Sequence, residues 1–174
     1  MDWSKALLEV IDLGSFSALW YWIVLAVAWS MTSHWVLGVP FDMVLRARRQ
    51  NGSALHDLED LVGINVRRLL GLARESGAWI VGFVAFLHTA LALLAFWYGI
   101  EFAQAMFLVL FPLSLVGALS LSTASRIASE APRGEALCRL LQRHRMAIQG
   151  IGMAAIFVTA IYGMFQNFAA AGAL

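Results

Sequence analysis

Charged residues are scarce in this sequence, and lysine and cysteine are almost missing. Only 13% of the 174 residues are Asp, Glu, Lys or Arg, against about 25% in a typical soluble domain. So few charges cannot cover a globule of this size, which excludes a soluble enzyme. Cys138 is the single cysteine, which excludes a disulfide-stabilised secreted scaffold. The net charge of +1 excludes a protein that coats nucleic acid.

Apolar residues are correspondingly abundant, at 61% of the sequence. Four stretches contain no Asp, Glu, Lys or Arg and reach the length of about 20 residues that a helix needs to cross a bilayer. These stretches are 16–38, 78–100, 102–122 and 147–168. The sequence therefore predicts an all-α integral membrane protein with four transmembrane helices.

The distribution of the eleven arginines predicts the orientation. All of them lie in two polar loops, 39–77 and 123–146. Because basic residues are enriched in cytoplasmic loops, both loops are expected in the cytoplasm. The N-terminal segment 1–15, the short link at Glu101 and the tail 169–174 are then outside, with both termini. The amphipathic spacing of 1–15 predicts a short helix on the outer surface.

The loop 39–77 contains two predicted helices, a short one at 43–49 and a long amphipathic one at 53–76. In the longer helix, leucines and valines occupy one half and charged residues the other. Glu59 and Asn65 fall on the apolar half. Because polar groups on a buried face usually have partners, we expect these two residues to contact another helix or subunit. The alternative is that they lie at a solvated rim.

Basic residues at the membrane ends of both loops are candidates for contact with anionic lipid headgroups. The short helix is expected to lie flat on the inner surface, with Phe41, Val44 and Leu45 dipping into the membrane. The alternative is a solvated face that only sets topology. The residues concerned are Arg46, Arg48, Arg49, Arg143 and Arg145.

The second loop is predicted to bend at Pro132–Gly134, with a helix restarting near Glu135 and running into the last span. Small residues at helical spacing in three of the spans indicate grooves for neighbouring helices. Pro112 is expected to kink the third span.

Two histidines within the spans are candidate polar sites. His88 lies near mid-depth, and His34 lies near the inner end of the first span. A hydrogen bond from His88 to a neighbouring helix and a proton or ion path through an oligomer both remain open. Haem ligation is disfavoured because the two histidines differ in depth by about 9 Å. No metal-ligand spacing is present, and no cofactor is expected.

Three stretches give the chain a resemblance to a known family. With Ser33–Asp42, Asp57–Val62 and Glu101–Ala105, it resembles small alphaproteobacterial multi-pass membrane proteins described as components of the SufBCD complex. The resemblance implies a bacterial cytoplasmic (inner) membrane location and a membrane partner of the machinery for iron–sulfur cluster assembly. It implies no active residue at any position.

No nucleophile triad, phosphate-binding glycine loop or paired intramembrane carboxylates can be assembled from the sequence. The prediction is therefore a non-enzymatic accessory or scaffold protein that binds other membrane protein subunits, through its cytoplasmic helices and small-residue grooves. The alternative is a homo-oligomeric channel or small transporter that uses His88 and the Pro112 kink.

Overall fold

A computed structural model describes residues 16–17, 19–50, 52–170 and 172, and almost all of them are helical. The predicted outer helix at 1–15 lies outside the described residues. The elements are α1 (Leu19–His34), β1 (Trp35–Val36), β2 (Val39–Pro40), α2 (Phe41–Gln50), α3 (Ser53–Ala92), a π-helical turn (Leu93–Trp97), α4 (Glu101–Glu130) and α5 (Gly134–Ala170).

Three of these helices are long and apolar enough to cross a membrane. They are α3 with its π-helical turn (45 residues), α4 (30 residues) and α5 to Ala169 (36 residues). Large apolar side chains on α3 point away from the protein, with Trp79 84% exposed and Phe86 71% exposed, as expected for a surface in contact with lipid. The chain is therefore a helical membrane protein. With 16 residues, α1 is about 24 Å long, so a fourth span stays a prediction.

The predicted end of the first span at Gly38 is wrong, because the helix ends at His34. A two-stranded antiparallel hairpin follows, in which Trp35 pairs with Pro40. Its two-residue turn places Leu37 at φ +51° and Gly38 at φ +74°, the left-handed conformations that such a tight hairpin turn requires. The hairpin could not be recognised from composition, because its residues are as apolar as those of the helix that precedes it.

The predicted end of the amphipathic helix at Ser76 is also wrong, because the helix continues into the stretch predicted as a span from Ala78. α3 runs from Ser53 to Ala92 without interruption. Gly77 lies inside it, and a methyl group there would meet no atom within 4 Å. A single glycine destabilises a helix too little to end it, when no turn residues follow and the helix packs along its length.

The continuity of α3 predicts that Gly77→Ala stabilises the protein. A helical glycine costs roughly 0.5–1 kcal/mol relative to alanine, and the added methyl group has open space. Thermal unfolding in detergent should show a higher midpoint for Gly77→Ala and a lower one for Gly99→Ala, since Gly99 has φ +69°. A neutral or destabilising effect at Gly77 would indicate a break in the helix.

The predicted helices at the arginine-bearing end of the molecule are present. α2 begins at Phe41, two residues earlier than predicted. α4 ends before Ala131, which adopts the left-handed conformation, and α5 begins at Gly134. The predicted bend and helix restart are therefore confirmed. α4 passes through Pro112 as one helix.

The packing divides into two hydrophobic cores. We call the first the basic layer; it joins the hairpin, α2, the first part of α3, the end of α4 and the start of α5. The second lies among the apolar parts of α1, α4 and α5. The basic layer buries Val36, Val39, Phe41, Val44, Ala47, Leu58, Val62, Val66, Ala124, Ile127, Leu137, Cys138 and Leu141. The second core buries Phe16, Tyr21, Leu25, Trp29, Ala105, Val109, Val116 and Ile148.

Glycines allow α1 to lie close against α5. A Cβ atom on Gly152 would lie 2.8 Å from Cε3 of Trp29, and one on Gly163 would lie 3.1 Å from Cδ1 of Phe16. The backbone N–H of Phe16 also donates to Oε1 of Glu101 at 2.8 Å. These contacts attach α1 and the residue Phe16 that precedes it to α4 and α5.

Candidate functional site

Glu59 has its partner within the chain. Its Oε1 atom accepts a hydrogen bond from the backbone N–H of Gly134 at 2.7 Å. Gly134 is the first residue of α5, where backbone N–H groups have no partner inside the helix and the helix dipole favours a negative charge. The carboxylate on the apolar half of α3 therefore caps α5 from a neighbouring helix.

Asn65 also contacts another element of the same chain. Its Nδ2 group donates to the carbonyl of Gly38 at 3.1 Å, in the turn of the hairpin. The hydrogen bonds of Glu59 and Asn65 thus hold α5 and the hairpin against α3. A contact of these two residues with a separate protein stays a prediction.

The expectation that the apolar side of α2 dips into the membrane is wrong for two of its three residues. Phe41 and Val44 are buried in the basic layer, because α2 packs against α3 and α5. Leu45 is exposed. The apolar side of α2 is therefore used mainly to attach it to the protein.

Four of the five candidate lipid-binding arginines are exposed at the surface of the basic layer. Arg46 forms a 4.0 Å ion pair with Asp42, and Arg48 donates to Oε1 of Gln142 at 2.9 Å. Arg49 and Arg143 are exposed as well. These positions are compatible with headgroup contact, which stays a prediction.

Arg145 differs from the other four because its Nε atom is buried and has no hydrogen-bond partner among the described residues. Its guanidinium carbon lies 3.8 Å from the centroid of the Phe41 ring. Together with His34, Arg145 lines a pocket of about 440 Å³. The structure thus brings together two residues that the sequence suggested separately.

His88 is hydrogen-bonded between α3 and α4. Its Nδ1 atom lies 2.7 Å from the carbonyl of Val84, so Nδ1 carries the proton and donates. Its Nε2 atom lies 3.3 Å from Oγ of Ser114. Phe107 and Phe111 stack with ring centroids 5.4 Å apart, and both meet the imidazole edge-on. The imidazole therefore lies in the contact between α3 and α4.

A buried polar network around the π-helical turn was missed from the sequence. Gln104, 5% exposed, donates from Nε2 to the carbonyl of Ala95 at 2.9 Å. Gln166 donates to Oε1 of Gln104 at 2.9 Å, and its amide also lies 2.9 Å from the hydroxyl of Tyr162. The sequence does contain an indication of this network. Gln104 and Gln166 lie in apolar spans, where an amide side chain without hydrogen-bond partners is costly.

A second buried network, around His144, was also missed. Thr123 donates its hydroxyl hydrogen to the carbonyl of Leu119 at 2.9 Å. Its oxygen lies 3.0 Å from Nδ1 of His144 and is therefore an acceptor for Nδ1–H. Oγ of Ser120 lies 3.4 Å from Nε2 of the same ring. This histidine fixes the end of α4 to α5.

The thiol of Cys138 is buried in the basic layer. Burial raises its pKa, an effect that Arg48 opposes, so little of the thiolate nucleophile is present at neutral pH. Within the described residues, no three His, Cys, Asp or Glu side chains come together to hold a metal ion.

Neither a known family model, nor a curated protein sequence, nor a solved structure matches this chain.

Proposed function

We propose that this chain is a non-enzymatic accessory or scaffold protein of the bacterial cytoplasmic membrane, and that its basic layer faces the cytoplasm and binds a protein partner. The observation that carries the proposal is one exposed face of α3. Ile64 is 45% exposed there. Asp57 and Asp60 precede it on the same helical face, and Arg67 and Arg68 follow it; all four are exposed. This set of five residues is called the α3 face below.

The charges of the α3 face have no partners in the described chain. Three ion pairs are present among the described residues, and none involves α3. An apolar centre within a polar rim is the usual arrangement of a protein interface. A partner with basic groups opposite Asp57 and Asp60 and acidic groups opposite Arg67 and Arg68 would match it.

The channel alternative has less support. His88 borders a groove of about 540 Å³ whose other walls include Phe96, Trp97, Phe107 and Phe111. Aromatic side chains cannot replace the hydration shell of an ion, so the groove suits a lipid chain better than a solute path.

A photo-crosslinking amino acid at position 64 of the full chain, used in native membranes, tests the proposal. We expect a crosslink to one protein of defined mass, which is lost when Asp60→Arg and Arg67→Glu are introduced together. Position 86 is the matched control, because Phe86 lies on the apolar part of the same helix and is 71% exposed. It should crosslink to lipid.

Two results would contradict the proposal. One is the absence of any protein product at position 64. The other is a product with twice the mass of this chain, which would favour a homo-oligomer. The resemblance noted above implies that the partner belongs to the machinery for iron–sulfur cluster assembly. The mass of the crosslinked product can be compared with the masses of those proteins.

A further inference from the structure

A pocket opens where α1 ends and the hairpin begins, on the side that faces α5. Its volume is about 440 Å³, and no acidic side chain lines it. Five of the six lining side chains carry a hydrogen-bond donor. The lining residues are Ser30, Met31, Ser33, His34, Trp35 and Arg145.

Arg145 is the cation of this pocket, and its charge is unpaired in the described chain. None of the three ion pairs among the described residues includes it, and its buried Nε atom has no hydrogen-bond partner there. A buried donor left without an acceptor destabilises the protein. Because the Nε atom is closed to solvent, an acceptor from outside the chain would reach the guanidinium group through its two Nη groups.

The guanidinium group is held in position before any ligand binds. The ring of Phe41 lies under it at 3.8 Å, a cation–π contact that fixes the plane of the group. Phe41 is itself buried in the basic layer. The edge of a fixed guanidinium offers two parallel N–H donors, which match two oxygens of a phosphate or carboxylate.

We infer that this pocket binds a phosphate group, with Arg145 as its bidentate donor and Ser30 and His34 as further donors. The hydroxyl hydrogen of Ser33 is already donated to the carbonyl of Trp29 at 2.6 Å, so Ser30 supplies the free hydroxyl. Two further donor side chains beside the cation exceed what a carboxylate needs and suit the several oxygens of a phosphate.

The phosphate has two possible sources, a lipid headgroup or a free phosphate ester. Arg145 lies two residues before the apolar stretch 147–168, which places it at headgroup depth. Met31 lines the pocket, and Met146 follows Arg145 in the sequence. Both are more than 60% exposed and would border an acyl chain. The inference does not depend on the proposed protein partner, because the α3 face lies elsewhere.

Native mass spectrometry of the purified full chain, with added phosphatidylglycerol, tests the inference. We expect Arg145→Gln to weaken lipid binding by on the order of tenfold, and Arg145→Lys to weaken it less, because lysine keeps the charge but loses the fork. Ser30→Ala should weaken it several-fold. Arg139→Gln is the matched control, since Arg139 is exposed on the same helix and pairs with Glu135, and it should change binding less than twofold.

A second arm adds glycerol 3-phosphate or inorganic phosphate as competitor. Displacement of the lipid at millimolar concentration would identify a free phosphate ester as an occupant, and no displacement would identify the lipid. The inference is overturned if Arg145→Gln and Arg139→Gln reduce binding equally, or if neither reduces it. If Arg145→Gln does not fold, unchanged binding in both Arg145→Lys and Ser30→Ala overturns it.

Discussion

Gly152→Val is expected to separate α1 from α5 and to lower the stability of the protein by roughly 1–3 kcal/mol, the range for overfilling a packed core. A Cβ atom at this position would lie 2.8 Å from Cε3 of Trp29, closer than two carbons can approach. Trp29 is buried, so its indole cannot move aside without displacing α1. Thermal unfolding in detergent, followed by tryptophan fluorescence, would measure the loss.

Gly150→Val provides the control for this experiment. Gly150 lies in the same helix, and a Cβ atom added there would meet nothing within 4 Å, so the midpoint should stay close to that of the unmodified protein. Combining Gly152→Val with Trp29→Leu should recover part of the lost stability by making room for the valine. Equal effects at Gly150 and Gly152 would show that α1 does not pack closely at Gly152.

Glu59→Ala is expected to destabilise the start of α5 by about 1–3 kcal/mol, because the part-buried N–H of Gly134 loses its acceptor. Glu59→Gln should cost less, since an amide oxygen can still accept the bond. The difference between the two variants reports the attraction between the carboxylate and the helix N-terminus. Hydrogen exchange in the first turns of α5 is the most direct measurement.

Asp60→Ala is the matched control for the Glu59 variants. Asp60 is the next residue of α3, but it is exposed and belongs to the α3 face. Its removal should leave exchange at the start of α5 unchanged while weakening any partner contact. If Glu59→Ala and Asp60→Ala accelerate exchange equally, Glu59 does not cap α5.

The helical membrane class could be predicted because it depends on composition and on the length of uncharged stretches. Three of the four predicted spans lie in helices long and apolar enough to cross a membrane. The predicted helix boundaries were wrong where amino-acid composition does not reveal backbone conformation. Residues 35–40 are apolar but form a hairpin, and the change at Ser76 from amphipathic to apolar sequence was mistaken for a helix end.

The candidate pocket was less accessible to sequence reasoning. His34 and Arg145 were each singled out, but no spacing rule connects residues on helices so far apart in the sequence. The partners of Glu59 and Asn65 lie at Gly134 and Gly38, and both are backbone groups, which carry no residue-type signal. Periodicity showed that these two polar residues needed partners and could not show which partners they have.

Because α3 is uninterrupted, a tilt at one of its ends displaces its other end. Its 40 residues extend for about 60 Å at 1.5 Å per residue, from the α3 face at one end to the π-helical turn at the other. Without a hinge, a rotation of about 5° at the basic layer moves the far end by about 5 Å. A partner that tilts α3 would therefore also shift the carbonyl of Ala95, which Gln104 holds, and disturb the buried network at the far end of the helix.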